Sequence, residues 1–396
     1  MINRLFTKNI RQFLFNSILI LFFSYDFIVK VIVAYTDFKL LYNYVIVFKV
    51  IIISLLITNF DFKKIRAKYL APITILTASY IITQLSAYQF LKLEDINFNG
   101  YYFLSSIISI LFFIYLEYKQ QELDKERVVN GFLLFMMINS VCVIIGYLFE
   151  IQVFESYFRG NRFGYSGMLL YHHEIGYLFF IAIILAYHKI KKRTTVFNCI
   201  GFFLIFFSSF LFGTKKTIFF TLFFVIFLII QNLKNYKALI TYSSIVVLVG
   251  LFFHKTLNSI YNTYYDLFYN IYVNDGFWSS FLSYRNDLLF EKFTPYLSDE
   301  MNLQTLLFGF PIFNNHRTEL EFFDLLLFFG VLGFVSYFLY FKLLLNGKNK
   351  TSYFLVLSLL FGSLFSGNLL ASVNAMVLLV ITLKYINPKN NLYENY

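Results

Sequence analysis

The sequence predicts an all-α, polytopic transmembrane helical bundle of about twelve helices, with both termini in the cytoplasm. Three observations predict it. Hydrophobic residues make up 59% of the 396-residue chain and charged residues only 14%, against roughly 25% in soluble domains. The apolar residues gather into runs close to the ~20 residues that cross a bilayer. The basic residues fall in alternate loops between those runs, as expected where Lys and Arg mark the cytoplasmic side. The formal net charge of +11 would suggest nucleic acid in a soluble protein. A chain this apolar cannot clothe itself in polar surface, so that partner is excluded. Disorder is excluded as well, because it requires low hydrophobicity.

The predicted spans lie near 12–33, 40–58, 69–90, 101–118, 129–149, 168–187, 196–212, 218–231, 238–254, 321–341, 352–368 and 371–386. The first is too long for a removable signal peptide, and no small-residue cleavage site follows it. The spans at 196–212 and 218–231 are short and suit a helical hairpin, as do the last two. Between the ninth and tenth lies a long outward loop, about 255–320, rich in Tyr, Asn and Asp. Its first half, Leu257 to Tyr272, places Leu257, Tyr261, Tyr264, Phe268 and Ile271 at helical steps and predicts an interfacial amphipathic helix. Ser283 is a candidate cap for a second helix through Leu289, and Gly309 with Pro311 predicts a turn. With four Pro and 17 Gly, the long helices are expected to run largely uninterrupted. The chain, 1–396, reads as one integral membrane domain. Cys142 and Cys199 lie in apolar runs without metal-site spacing, and no metal, Walker or dinucleotide motif occurs.

Under strict alternation, 21 of the 33 basic residues face the cytoplasm. Two more, Lys30 and Lys49, fall within spans. Asp26 and Lys30 are four apart in the first span and predict a structural ion pair. The ten outward cations are the informative ones, because they defy the positive-inside trend. Arg159 and Arg162 flank a glycine in Arg159-Gly-Asn-Arg162, and two guanidiniums so placed can fork onto phosphate oxygens. Lys215 and Lys216 share the turn Gly213-Thr-Lys-Lys-Thr217, where an anion would relieve their repulsion. Arg285 stands near a predicted helix start.

The densest cluster is Asn314-Asn-His-Arg-Thr-Glu-Leu-Glu-Phe-Phe-Asp324. It sets His316, Arg317, Glu319, Glu321 and Asp324 at a membrane boundary, where carboxylates are costly unless paired or wet. An unperturbed histidine titrates near neutrality, so His316 is a candidate base. Elsewhere, His172, His173 and Glu174 enter the sixth span. Adjacent histidines point in different directions on a helix, which disfavours a shared metal, although one of them can face a substrate.

The layout resembles the O-antigen polymerase and O-antigen ligase family of bacterial surface-polysaccharide assembly. Three features carry the resemblance: about twelve helices with a long outward loop late in the chain, the Gly213-Thr-Lys-Lys-Thr217 turn, and Glu319-Leu-Glu-Phe-Phe-Asp324 followed by Phe-Phe-Gly330-Val-Leu-Gly333. The turn departs from the more frequent Ser-Arg form by carrying Lys-Lys. The resemblance implies a polymerase that is a multi-pass protein of the bacterial cytoplasmic (inner) membrane. It would transfer a glycan from an undecaprenyl-pyrophosphate donor to a sugar hydroxyl at the outer face. The implied partners are that lipid-linked oligosaccharide, membrane lipids and a chain-length regulator protein, with no cofactor and no metal. On this reading Arg159, Arg162, Lys215, Lys216, Arg285 and Arg317 bind the pyrophosphate. His316, helped by Glu319 or Glu321, handles the acceptor hydroxyl, and Asp324 supports the site. Two rivals share the architecture: a ligase that passes on finished glycan, and a flippase for lipid-linked oligosaccharide, which should show internal halves and midplane polar residues.

Overall fold

The computed structural model describes residues 2–36, 38, 41–57, 65–89, 91–118, 124–157, 163–232, 254–298 and 303–387. Among these, fifteen α-helices run in order. They are α1 (Ile2–Thr36), α2 (Leu41–Ile57), α3 (Ala67–Ser86), α4 (Leu93–Tyr118), α5 (Lys125–Phe149), α6 (His172–Lys192), α7 (Val196–Ser208) and α8 (Lys215–Asn232). Then come α9 (His254–Leu282), α10 (Arg285–Ser298), α11 (Leu303–Phe308), α12 (Phe313–His316), α13 (Glu321–Leu345), α14 (Lys350–Phe365) and α15 (Val373–Ile386). No strand occurs among the described residues, only an antiparallel bridge between Glu155 and Tyr165. The protein is all-α. Among the described residues six helices are long and apolar enough to cross a membrane, namely the Asn16–Thr36 part of α1 together with α3, α4, α5, α6 and α13. Shorter apolar helices accompany them. Helices fall on every predicted span except the one at 238–254, which lies outside the described residues but for His254.

Two helices form the centre. In α6 every residue from Glu174 to Ala186 is buried, and in α15 every residue from Val373 to Lys384 is buried. A helix that is apolar on all sides must be wrapped by others, and α1, α4, α5, α7, α8 and α14 pack around these two. The side chains of α5 and α8 alternate between buried positions such as Phe132 and Phe224 and exposed ones such as Leu134 and Leu222. That alternation marks a surface that lipid covers.

Glycine breaks two helices, one of them the span at 321–341 that the composition predicts as continuous. Within α9 the break is Gly276, at φ 84°, and within α13 it is Gly330, at φ 66°. The second break builds structure. It frees the Leu327 carbonyl, which accepts the Phe310 N–H at 2.7 Å. A Cβ on Gly330 would sit on the backbone of Leu307 and Phe308. The short α11 therefore lies directly on the break, held from the other side by Thr83, whose hydroxyl donates to the Phe308 carbonyl at 2.8 Å. Non-helical backbone inside a membrane is tolerated where protein covers it and satisfies its polar groups.

The two ends of the bundle differ in chemistry. At one end the Arg66 N–H donates to the Tyr118 hydroxyl at 2.8 Å, the Asn349 N–H donates to Asn387 at 2.9 Å, Lys189 meets Glu126 at 3.4 Å, and buried Lys384 pairs with Glu117. These are the loops predicted to be basic. Lys348, beside them, is lowered to about 8, first by burial and then by the neighbouring Lys384. The pairing predicted within α1 does not form. Asp26 binds Lys49 of α2 at 2.9 Å instead, while Lys30 donates to the Ser166 hydroxyl and the Gly167 carbonyl, both at 2.6 Å. Packing presents each ammonium to a partner on another element, and this satisfies more buried acceptors than an i,i+4 pair would.

Candidate functional site

At the opposite end six segments converge on a cavity of about 280 Å³. Its polar wall includes Lys215, Lys216, Arg285, Arg317 and Glu319, with His172, His173 and Asn368 beside them. Four of the six predicted phosphate-binding cations therefore face one space. The other two, Arg159 and Arg162, lie outside the described residues. The chain on either side of them is anchored nearby. Tyr157 lines the cavity, and the Tyr165 N–H donates to the Leu211 carbonyl at 2.9 Å. Glycines make that junction possible, since a Cβ on Gly164 would collide with the Phe212 carbonyl and one on Gly213 with the Phe163 carbonyl. Burial pushes the Glu155 carboxyl, in the same loop, above the ordinary carboxylate range, and Lys30 pulls it partly back.

Each cation is held differently. Lys215 donates to the Ser280 and Phe281 carbonyls, and Arg285 donates to the Leu282 carbonyl at 3.3 Å. These are the last carbonyls of α9, which have no partner within their own helix. Lys215 thus pins the end of α9 to the start of α8, whereas Arg285 closes the same helix end locally. Lys216 is buried, donates to the His173 carbonyl at 3.0 Å and stands 3.8 Å from the centre of the Tyr177 ring, a favourable cation–π position. Arg285 pairs with Glu319 at 3.0 Å, and Arg317 donates to the Asn368 side chain at 2.9 Å. The Nε–H groups of Arg285 and of Arg317 are buried and carry no hydrogen bond. A buried donor without an acceptor costs roughly 1–3 kcal/mol. The four cationic side chains that line this one cavity are suited to an anion with several oxygens.

The backbone around the cavity is strained. Ser283 (φ 53°), Glu319 (φ 59°) and Asn368 (φ 72°) line it in left-handed conformations, with Tyr284 (φ 64°) adjoining. Strain of this kind costs about 1–3 kcal/mol per residue and gathers at functional sites. Ser283 does not cap the next helix. The Leu288 N–H bonds the Tyr284 carbonyl at 3.1 Å, so α10 begins at Arg285 after this left-handed turn.

The predicted catalytic residues separate. Glu319 lines the cavity, with 47% of its side chain exposed. Glu321 is fully buried and accepts the Leu369 and Leu370 N–H groups at 2.7 and 2.8 Å. It clamps the turn that presents Asn368. Asp324 is also fully buried, and its Oδ1 accepts the Thr318 N–H and hydroxyl at 2.7 and 2.9 Å. It fixes the arc that carries Arg317 and Glu319. His316 stacks on Phe310, with centroids 4.2 Å apart and planes 18° apart, and is not among the residues that line the cavity. In contrast, His172 and His173 both line it, their rings 5.7 Å apart and nearly perpendicular.

Sequence reasoning missed Asn368, whose only local signal is a Gly-Asn pair between two apolar runs. It also missed a buried polar chain behind the cavity. In that chain Asn374 donates to Asp26 at 2.7 Å and to Glu174 at 3.0 Å, which links α15, α1 and α6. Among the described residues no group of three or more His, Cys, Asp or Glu side chains has the arrangement of a metal site. Compared with known proteins, the chain matches no family model, no curated protein and no solved structure.

Proposed function

We propose that this protein joins lipid-linked oligosaccharide repeat units at the outer face of a bacterial cytoplasmic membrane, with twelve spans and both termini inside. The acceptor sugar hydroxyl attacks the anomeric carbon of the donor glycan. A glycosidic C–O bond forms, the C–O bond to the pyrophosphate breaks, and polyprenyl pyrophosphate leaves. The observation that carries this reading is the gathering of four cationic side chains, Lys215, Lys216, Arg285 and Arg317, on the lining of one cavity. Guanidiniums fixed before the reaction stabilise charge that develops on a departing pyrophosphate. The same cavity suits the lipid, because Phe219, Phe281, Phe361 and Phe365 also line it and Phe361 is 44% exposed. An isoprenoid chain can lie there while its pyrophosphate reaches the arginines.

The roles expected from sequence are redistributed accordingly. Glu319 is the exposed carboxylate beside the cations, so it orients the acceptor hydroxyl and takes its proton. Glu321 and Asp324 position the site through backbone N–H groups. His316 supports the turn through Phe310. A transporter would need no base at the cavity.

The decisive experiment is turnover of purified protein with lipid-linked repeat unit, with products resolved by length on a gel. Ladder formation is expected, together with loss of more than about a hundredfold in Arg317→Gln and Glu319→Gln. Absence of product from well-folded protein would refute an enzyme and leave a carrier. A deletion strain separates the nearest rival. Single-repeat glycan accumulates if the protein is a polymerase, and long unattached polymer accumulates if it is a ligase.

A further inference from the structure

A second cavity, of about 730 Å³, opens at the other end of α6, between α5, α6 and α7. Its rim carries Lys189, Lys192 and Arg193, and its floor is apolar, with Leu133, Met137 and Ile205. Glu126 is the acidic residue on the rim. It lies 3.4 Å from Lys189 and 3.9 Å from Lys192, which leaves the rim with two positive charges in excess. The 21 residues of α6 span about 31 Å at 1.5 Å each. This cavity and the cationic cavity at His172 are therefore separated by about the ~30 Å thickness of a hydrocarbon core. The surface beside the floor is strongly apolar and open. Leu134 is 51% exposed, Ile200 57% and Phe197 61%.

A helix end with basic residues needs no ligand when the charges project into water. Here they overhang an apolar recess that continues into a lipid-facing surface. Water in the recess would wet Leu133, Met137 and Ile205 to no gain, whereas acyl chains fill it and place a headgroup phosphate beneath the cations. Close packing shapes the recess. Gly201 admits the Met137 sulfur, which a Cβ at that position would meet at 2.8 Å.

We propose that this crevice is a binding site for an anionic phospholipid of the cytoplasmic leaflet. Its headgroup phosphate sits on Lys192 and Arg193, and its chains lie along α5 and α7. Basic pockets between helices on that side select anionic headgroups in this way. The site is independent of the outward cavity and of any reaction there.

The test uses the full chain purified in neutral detergent and titrated with dioleoyl phosphatidylglycerol, dioleoyl phosphatidylcholine or inorganic phosphate. Bound lipid is counted by native mass spectrometry. Phosphatidylglycerol is expected to be retained roughly tenfold better than phosphatidylcholine, and millimolar inorganic phosphate is expected not to displace it. The double variant Lys192→Gln with Arg193→Gln should lose the preference, and the double variant Arg285→Gln with Arg317→Gln should keep it. Glu126→Gln removes the competing carboxylate and should strengthen retention, a gain that misfolding cannot produce. Equal retention of the two lipids overturns the proposal, as does a preference lost only in the Arg285 and Arg317 variant. Displacement by inorganic phosphate overturns the lipid assignment and leaves a simple anion site.

Discussion

At the scale of single residues, three carboxylates within six positions have three different surroundings. Glu319 meets a guanidinium at a cavity wall, Glu321 meets two backbone N–H groups, and Asp324 meets Thr318. Glu321→Ala would strand the Leu369 and Leu370 N–H groups in a dry interior, at about 1–3 kcal/mol for each. Its unfolding temperature in detergent should fall well below that of Glu321→Gln, which keeps one acceptor. Glu319→Gln should leave that temperature nearly unchanged, because its salt bridge is half-exposed and weak. The Asp26–Lys49 pair behaves differently, since both side chains are almost wholly buried. Lys49→Met strands a buried carboxylate, a loss of about 3–5 kcal/mol. Adding Asp26→Asn should recover most of that loss. A double variant as unstable as the single one would show that the pair is not what holds α1 to α2.

At the scale of elements, the breaks decide how the site is assembled. The break at Gly330 lets α11 sit on α13, and the left-handed Gly213 turns the chain from α7 into α8 against the 163–167 segment. Gly330→Ala meets both a positive φ and the backbone of Leu307, so a large drop in unfolding temperature or folded yield is expected. Gly100→Ala is the matching control. Gly100 lies within α4, its nearest non-local atom is the Tyr80 hydroxyl at 3.8 Å, and alanine there should stabilise by about 0.5–1 kcal/mol. Helix lengths also matter. The 14 residues of α15 reach only about 21 Å, short of a ~30 Å hydrocarbon core. Periodicity made these helices legible one by one. The breaks were not legible, because a glycine in an apolar run reads the same whether its φ is positive or negative.

At the scale of the whole molecule, the two ends carry different chemistry, and the proposed topology assigns them to opposite sides of the membrane. With Cys142 and Cys199 replaced by serine, a cysteine introduced at Asn274 should react with an impermeant maleimide on intact cells. One introduced at Lys350 should react only after the inner membrane is permeabilised. Labelling of both sites from outside would refute the twelve-span, termini-inside arrangement. By itself the sequence determined that the chain is helical and apolar enough to be a multi-pass membrane protein, where most of its apolar helices lie, and in which loops its basic residues gather. Those properties follow from length, hydrophobicity and loop charge, which are local along the chain. Only the tertiary structure decided that Lys215, Lys216, Arg285 and Arg317 share one cavity, that Lys215 is largely committed to the end of α9, and that Glu321 and Asp324 hold backbone rather than face the cavity. It also decided that Asp26 takes Lys49 rather than Lys30. The reason is physical. In a dry interior a buried donor without an acceptor is costly, and which acceptor lies within reach is set by how distant helices pack, a quantity no local pattern encodes.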